Sequence, residues 1–240
     1  MTDRLRRFVR RQQFKPGVLG VFVNPFFLAR RALWTELRAL RPWFNGRLLD
    51  VGCGTKPYQA LFEVTEYVGL EIDSPIARQR AVADAFYDGS RFPFDDGRFE
   101  SVLCNQVLEH VFNPDAFIAE IRRVLAPGGR LVLTVPFVWD EHEQPNDYAR
   151  YSSFGLRSLL ERNGFRVLAQ HKLLADSSVL FQLVNAYLYK VMRSRYQAVN
   201  LMVTALLIAP ISLLGWALGR LLPDNPDLFL DQSVVAERRP

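Results

Sequence analysis

The residues best suited to chemistry stand where short apolar runs of the chain end. Asp50, Gly52 and Gly54 follow the first run, in "LLDVGCG". Two glycines in such a turn allow a ligand to approach the backbone closely. Glu71 ends the second run and Asp84 follows the third. Carboxylates at these points can accept hydrogen bonds from the hydroxyls of a ribose and from the exocyclic amine of an adenine. We therefore expect a site for a ligand that carries a nucleoside.

A second group of reactive side chains lies in residues 137–156, "FVWDEHEQPNDYARYSSFGL". His142 is the first candidate for a general base, because the pKa of an imidazole lies near neutrality. His110, in "LEHV", is the second candidate, and Tyr148 is a third. The alternative for both histidines is a structural role, in a loop hydrogen bond or in orienting a helix. The acidic side chains here have no spacing that is diagnostic of a metal, so no metal ligands are predicted.

These residues need a sheet whose strands alternate with helices. The apolar runs predict strands at Leu48–Val51, Glu66–Ile72, Ala81–Phe86, Phe99–Asn105, Arg130–Phe137, Phe165–Gln170 and Ser233–Glu237. Helices are predicted to begin at Pro57–Phe62, at Pro114 behind an Asn113 N-cap, and in "SFGLRSLLERNGF". This alternation predicts a doubly wound α/β fold with ligands beyond the carboxyl ends of the strands. Asn105 and Gln106 follow the fourth strand at this same edge.

The whole constellation resembles class I S-adenosylmethionine-dependent methyltransferases over roughly residues 45–170. The matching stretches are "LLDVGCGTKPY", "YVGLEID", "VADAF", "FPFDDGRFESVLCNQVLEHVFNPDAFIAEIRRVLAPGGRLVLTVP" and "LLERNGF". The resemblance implies a Rossmann-like sheet of seven strands whose last strand is antiparallel, and S-adenosyl-L-methionine as the cofactor. It implies that the loop receives the methionine part, that the next carboxylate binds ribose, and that the following Asp contacts adenine. The implied cofactor-binding residues are Asp50, Gly52, Cys53, Gly54, Glu71, Ile72, Asp84, Ala85, Asn105 and Gln106.

The glycine pattern of the loop distinguishes this cofactor from a dinucleotide. Pro57 stands where a dinucleotide-binding fingerprint has its third glycine. A dinucleotide places its pyrophosphate at a helix N-terminus, whereas S-adenosylmethionine has no phosphate and its ammonium prefers oxygen ligands. Many relatives of the resembled family have a further glycine where this chain has Lys56-Pro57. Cys53 suits tight packing inside the turn better than a nucleophilic role.

Composition suggests one sizeable core with an appendage. The chain has 240 residues, 49% of them hydrophobic, and a net charge of +5. Eleven Lys or Arg against two acidic residues precede Asp50, so this segment carries +9 and the rest about −4. A basic segment favours an anionic partner surface. Two cysteines indicate reduced thiols in the cytoplasm. Val18–Ala29 lacks the features of a cleaved signal peptide.

The segment from Gln197 to Gly219 carries no charge and is long enough to span a bilayer. Because the chain must return to the sheet, we expect a membrane-docking hairpin, a lid over a lipophilic acceptor, or a homodimer interface, with Pro210 at a kink or hairpin. The expected division is a basic amphipathic helical arm at 1–45, a cofactor-binding domain at 46–175 plus 226–240, and an apolar insertion at 176–225.

The function expected from these features is O-methylation of a glycan- or lipid-linked acceptor, by a peripheral protein on the inner face of the membrane. The loop at 137–156 resembles those of bacterial methyltransferases that act on sugars. Methylation of a lipophilic small molecule such as a quinone is one alternative, and a non-catalytic membrane-associated scaffold is another. Nucleic acid is not expected as a partner, since "CNQV" stands where base-methylating enzymes have an "NPPY"-type tetrapeptide.

Overall fold

The computed structural model describes residues 3–80 and 82–240, and these form a seven-stranded sheet. The strands are β1 Arg47–Val51, β2 Glu66–Ile72, β3 Ala85–Tyr87, β4 Phe99–Asn105, β5 Leu125–Pro136, β6 Phe165–Leu173 and β7 Asp231–Arg238. Their order is β3-β2-β1-β4-β5-β7-β6, with β1 to β5 parallel. The antiparallel β7 lies between β5 and β6. The predicted Rossmann-like fold is therefore confirmed.

The helices of the described residues are α1 Asp3–Phe14, α2 Phe27–Ala39, α3 Pro75–Arg80, α4 Pro114–Val124, α5 Ser153–Arg162, α6 Ser178–Val191, α7 Gln197–Val203 and α8 Ala209–Leu221. The helix α4 begins as predicted, because the Asn113 side chain accepts a hydrogen bond from the Ala116 amide. One face of α4 is buried in the core of the sheet, through Phe117, Ile118, Ile121 and Val124.

Two local predictions differ from the structure. The segment Pro57–Phe62 forms only a 3-10 turn at Gln59–Leu61. Its hydrogen bonds run from one residue to the third before it, as between the Leu61 amide and the Tyr58 carbonyl, and this pattern does not extend into an α-helix. The third strand begins at Ala85 and ends at Tyr87. Ala81, the predicted start of that strand, lies outside the described residues.

The chain divides into two compact units. One contains Arg38–Phe137, Glu141–His171 and Gln232–Pro240, and it holds most of the sheet. We call it the sheet unit. Its core is made by inward side chains of the central strands, such as Leu49, Val102 and Leu131, and by α4 and α5. The carboxyl ends of β1, β2 and β4 belong to this unit, so it supplies the predicted cofactor residues.

The second unit contains Met1–Leu37, Val138–Asp140 and Lys172–Asp231, and we call it the helical unit. Val21, Phe27, Leu28 and Ala209 form a shared buried cluster within it. The helical unit thus combines the predicted arm, up to Leu37, with the predicted insertion at 176–225. Their apolar faces cover one another, which neither could achieve alone.

Helices α7 and α8 are continuous through a π turn at Thr204–Ile208, so Pro210 stands in a helix and not at the bend of a hairpin. A π turn accommodates the missing amide of a proline. The helix that results, Gln197–Leu221, has 25 residues and a mean hydropathy of 2.2 in its most apolar window. Among the described residues it is the one helix whose length and composition would allow it to cross a membrane.

Candidate cofactor and acceptor site

The turn after β1 contains two glycines with different surroundings. A side chain would meet a neighbouring residue at one of them and open space at the other. Gly52 has a φ of 70°, and a Cβ there would overlap the side chain of Val107. Gly54 has a φ of 53°, and no atom lies within 4 Å of where its Cβ would be. The turn is therefore packed against the segment after β4 on one side and open on the other. The open side can receive a ligand close to the backbone.

Asp50 is buried beneath this turn, at 4% exposure. Burial raises the pKa of its carboxyl to about 7, although the hydrogen bond donated by the Tyr67 hydroxyl acts in the opposite direction. Burial also raises the pKa of Tyr67, so that hydroxyl keeps its proton and remains the donor. A positively charged group of a ligand would favour the ionised form of Asp50.

Glu71 lies at the carboxyl end of β2 with its carboxylate turned toward the glycine turn. Its Oε2 accepts a hydrogen bond of 2.9 Å from the Gly54 amide, and its Oε1 accepts one of 3.1 Å from the Ile72 amide. These bonds hold the carboxylate at the open side of the turn and leave it further lone pairs for ligand hydroxyls. Ile72 is 48% exposed beside it and offers an apolar surface.

Asp84 is held in place by a residue that the sequence did not single out for this role. Its Oδ2 accepts from the Gly69 amide at 2.7 Å and lies 2.5 Å from Lys56 Nζ. Burial alone would raise the pKa of Asp84, but the Gly69 amide and the Lys56 ammonium outweigh it and lower that pKa. Ala85 follows as the first residue of β3 and is partly buried. Asp84 therefore directly precedes β3 and does not follow it as predicted, and Lys56 connects the glycine turn to this point.

The remaining predicted cofactor residues lie at the end of β4 and in the turn. Asn105 Oδ1 accepts a hydrogen bond of 2.9 Å from the Thr134 hydroxyl, and Gln106 has a φ of 57° with its amide bonded to the Thr134 carbonyl. Cys53 is buried, and burial raises the pKa of its thiol to about 12. A thiol that stays protonated is a poor nucleophile, which agrees with a packing role.

The two candidate base histidines meet at the adjoining part of the sheet unit. Their rings are 4.8 Å apart between centroids and nearly perpendicular, at 78°. His110 ends the turn Leu108–His110 that follows β4, directly after Val107, which contacts the glycine turn. His142 comes from the loop after β5. The structure therefore brings together two residues that are 32 positions apart, and one of them follows Val107, which contacts the glycine turn, by three positions.

Each imidazole has an oxygen atom facing its Nδ1, and the His142 backbone amide also donates a hydrogen bond of 2.8 Å to Asp147 Oδ2. His110 Nδ1 is 2.7 Å from the carbonyl oxygen of Asn146, and His142 Nδ1 is 3.3 Å from Asp147 Oδ2. Each Nδ1 faces an oxygen and so carries the proton, which leaves the lone pair on Nε2. Arg150 binds the two Asp147 oxygens at 2.6 and 2.7 Å. Because of this guanidinium, the pKa of Asp147 lies well below its usual range and the carboxylate stays charged.

Glu109 is a residue of this cluster that the sequence analysis missed. Its side chain is fully buried, and one of its oxygens is 3.9 Å from His110 Nε2. Its carbonyl accepts the amides of Tyr148 and Ala149, which ties the loop after β5 to the turn after β4. Tyr148 itself is 47% exposed, and its hydroxyl donates to Asn146 Oδ1 at 3.1 Å. The signal for Glu109 was its place four residues after the end of β4.

Comparison with known proteins agrees with this geometry. The family profile described as "Methyltransferase domain" matches residues 49–133, from β1 into β5. The probable tRNA methyltransferase 9B of Mus musculus is 32% identical over 136 residues, which are 52% of this chain and 30% of that protein. The chloroplastic tocopherol O-methyltransferase of Arabidopsis thaliana is 32% identical over 106 residues, 36% of this chain and 29% of that protein. The chain spans about half the length of the curated relatives it matches, or less.

The solved structures share the architecture. The crystal structure of the cyclase SpnF is 22% identical, with a TM-score of 0.57, and the alignment covers 88% of this chain and 82% of that one. At this identity the likeness concerns the fold alone.

Proposed function

Because residues 49–133 place this chain among the class I S-adenosylmethionine-dependent methyltransferases, we propose that it methylates a hydroxyl oxygen of a glycan- or lipid-linked acceptor at a membrane surface. The observation that carries the proposal is the imidazole pair formed by the turn after β4 and the loop after β5, with Nδ1 of each ring facing an oxygen. A hydroxyl is a weak nucleophile at neutral pH, and such a pair can accept or polarise its proton.

The residues around the glycine turn fit the cofactor. Gly54 leaves open space, Asp50 offers a buried carboxylate to an ammonium, and Glu71 offers oxygens to ribose hydroxyls. When bound, S-adenosylmethionine supplies a methyl group on an activated sulfonium leaving group. The chain's own task is alignment of the acceptor oxygen and exclusion of water. The Asp147 carboxylate faces Nδ1 of His142 and favours the proton on that nitrogen.

Docking of the helical unit on an anionic membrane is supported by two kinds of surface. Helix α1 presents five exposed arginines, Arg4, Arg6, Arg7, Arg10 and Arg11. Helix α8 and the turn before it expose large apolar side chains, with Leu206 at 74% and Leu221 at 77%. Each arginine near an anionic lipid surface contributes about 1 kcal/mol. Basic and apolar surfaces in one unit suit the headgroup and acyl boundary of a bilayer.

The test has a cofactor step and an acceptor step. Calorimetry with S-adenosylhomocysteine should show binding that Glu71→Ala weakens about tenfold to a hundredfold, because charge-assisted hydrogen bonds to the ribose are lost. Glu63→Ala, an exposed carboxylate in the same connection, is the matched control and should bind like the parent chain.

For the acceptor, transfer of a labelled methyl group is measured with four acceptors: an isoprenoid-linked sugar in vesicles, the same sugar free in solution, a hydroquinone, and tRNA. The proposal expects the vesicle-borne sugar to be the best acceptor and His142→Ala to lower transfer without changing cofactor affinity. Preference for the hydroquinone would favour the lipophilic alternative, to which the similarity with tocopherol O-methyltransferase points. Labelled tRNA would contradict the proposal.

A further inference from the structure

We infer that Glu109, His110 and His142 bind a divalent metal ion of the zinc class, beside the cofactor turn. One nitrogen of each imidazole and one oxygen of Glu109 all lie within 4.8 Å of one another. In a tetrahedral site with bonds near 2.1 Å, neighbouring ligand atoms are about 3.4 Å apart. The three groups would therefore close on an ion by side-chain movements of about 1 Å or less.

The oxygens that face Nδ1 of the two imidazoles are of the kind that metal-binding histidines have beside their second ring nitrogen. A ligating histidine donates its other ring N–H to a carboxylate or a backbone carbonyl, which fixes its tautomer and orientation. His142 faces the Asp147 carboxylate with Nδ1, and His110 faces the Asn146 carbonyl with Nδ1. His110 Nε2, the ring nitrogen that does not face Asn146, lies 3.9 Å from an oxygen of Glu109.

The cluster is also held rigidly. The Glu109 carbonyl accepts two amides from the loop that carries Asp147, so the ligands from two elements are tied by backbone bonds as well. Arg150 fixes Asp147 with two short bonds and keeps it charged. Ligands whose own positions are supported in this way satisfy the tight geometric demands of a metal site.

The donor set decides the class of ion. Two imidazoles and one carboxylate suit zinc or iron(II), whereas magnesium and calcium prefer oxygen ligands alone. Three protein ligands leave at least one coordination position open, which is the arrangement of catalytic sites and not of structural ones. A divalent cation also compensates the charge of the buried Glu109 carboxylate, which is costly to keep in a low-dielectric environment.

The role of this ion rests on the proposed function. With the acceptor hydroxyl in the open position, the ion lowers the hydroxyl pKa toward neutrality. The acceptor O–H bond breaks and its proton passes to water. The oxygen then forms a bond to the methyl carbon, the C–S bond of the cofactor breaks, and its electron pair stays on sulfur. In this arrangement His142 is a ligand, so Nε2 does not take the proton.

Metal binding is tested on the untagged, chelator-treated full chain by titration with Co²⁺, whose visible spectrum reports the coordination number, and with Zn²⁺ by calorimetry. We expect one equivalent to bind, with the intense visible bands of a four- or five-coordinate ion. His142→Ala and His110→Ala should weaken binding at least tenfold. His171→Ala removes the third histidine, which is exposed on β6, and should bind like the parent chain.

Equal affinity of His142→Ala and the parent chain for the metal ion, or no binding at millimolar ion, would overturn the site.

The role of the ion in methyl transfer is tested separately. Chelation should abolish methyl transfer, and Zn²⁺ should restore it, while the affinity for S-adenosylhomocysteine stays unchanged. Full transfer by the metal-free chain would reject the role. A chain that binds the ion and the cofactor analogue but transfers no methyl group to any acceptor would retain the metal site and reject the proposed function.

Discussion

At the scale of single residues, Asp50 gives the cofactor site a pH dependence. Its carboxyl is half protonated near pH 7 in the free protein, because burial raises its pKa to about 7. An ammonium bound beside Asp50 favours the ionised carboxylate. Below pH 7 most Asp50 carboxyls are protonated, so binding of the ammonium must also release this proton. Cofactor affinity therefore rises with pH through this window and levels above it.

We predict that the affinity for S-adenosylhomocysteine increases about tenfold from pH 6 to pH 8, the ratio expected for a group with a pKa of about 7. Calorimetry across this range measures it. Asp50→Asn should bind more weakly and lose the pH dependence, because an amide does not titrate here. A parent chain with the same affinity at both pH values would show that Asp50 does not face the ammonium.

Sequence order was sufficient to select the residues at the strand ends. Glu71 could be chosen because every parallel strand delivers its last residues to one edge of the sheet. Asp84 was predicted to follow the third strand, but it directly precedes β3, which begins at Ala85. The contact between Lys56 and Asp84 could not be predicted, since it depends on the path of the turn and not on a period in the sequence. The contacts among Glu109, His110 and His142 could not be predicted either. These residues come from two connections whose conformations no repeat pattern describes.

At the scale of elements, Lys56 both shapes the connection between β1 and β2 and positions Asp84. Lys56 has a φ of 50°, a left-handed conformation that glycine adopts at less cost. Its side chain is nearly buried, at 10% exposure, and it reaches Asp84, the residue directly before β3. Where the resembled family often has a further glycine, this chain thus has a residue that braces the predicted adenine contact.

We predict that Lys56→Met weakens binding of S-adenosylhomocysteine about threefold to tenfold, because Asp84 loses its fixed orientation. The melting temperature should change little, since an ion pair with one exposed partner contributes only about 0 to 1 kcal/mol. Calorimetry and thermal melting provide the two readings. Lys56→Arg, which keeps the charge, should recover most of the affinity. Unchanged binding in Lys56→Met would mean that Asp84 does not depend on this brace.

Elements with strong local signals could be predicted closely. The bounds of β2 and β4 agree with their apolar runs, and α4 begins at its N-cap and proline. The turn after β1 was mistaken for a helix because Pro57 and the apolar residues after it suit a first helical turn. The fourteen residues between β1 and β2 instead follow a tight path that buries Tyr58. Packing of this kind is decided by tertiary contacts and not by propensity.

At the scale of the whole molecule, charge and apolar surface predict association with anionic bilayers. The chain should float with vesicles that contain about one third anionic lipid, and 0.5 M salt should weaken this binding because the arginines of α1 are screened. Leu206→Asp and Leu221→Asp together should abolish flotation, since both side chains are exposed and their replacement leaves the core intact. Flotation after density-gradient centrifugation is the measurement.

The matched control is Phe154→Asp, which places a charge on an equally exposed apolar residue of α5 in the sheet unit. This variant should float like the parent chain. Failure of the parent chain to float, together with a dimer in sedimentation velocity that Leu206→Asp dissociates, would replace membrane docking with self-association. Equal flotation of the double variant and the parent chain would exclude the helical unit as the membrane contact.

The position of β7 between β5 and β6 also determines how the protein can be made. During synthesis on the ribosome, β6 has no place in the sheet until β7 has been translated, because β7 is its link to β5. The helices from Ser178 to Leu221 emerge in that interval, before the sheet is complete. At 5–20 residues per second, the 57 positions between Leu173 and Asp231 take about 3–11 s to translate. Through this period the nascent chain would depend on chaperones, or on the membrane itself, to avoid aggregation.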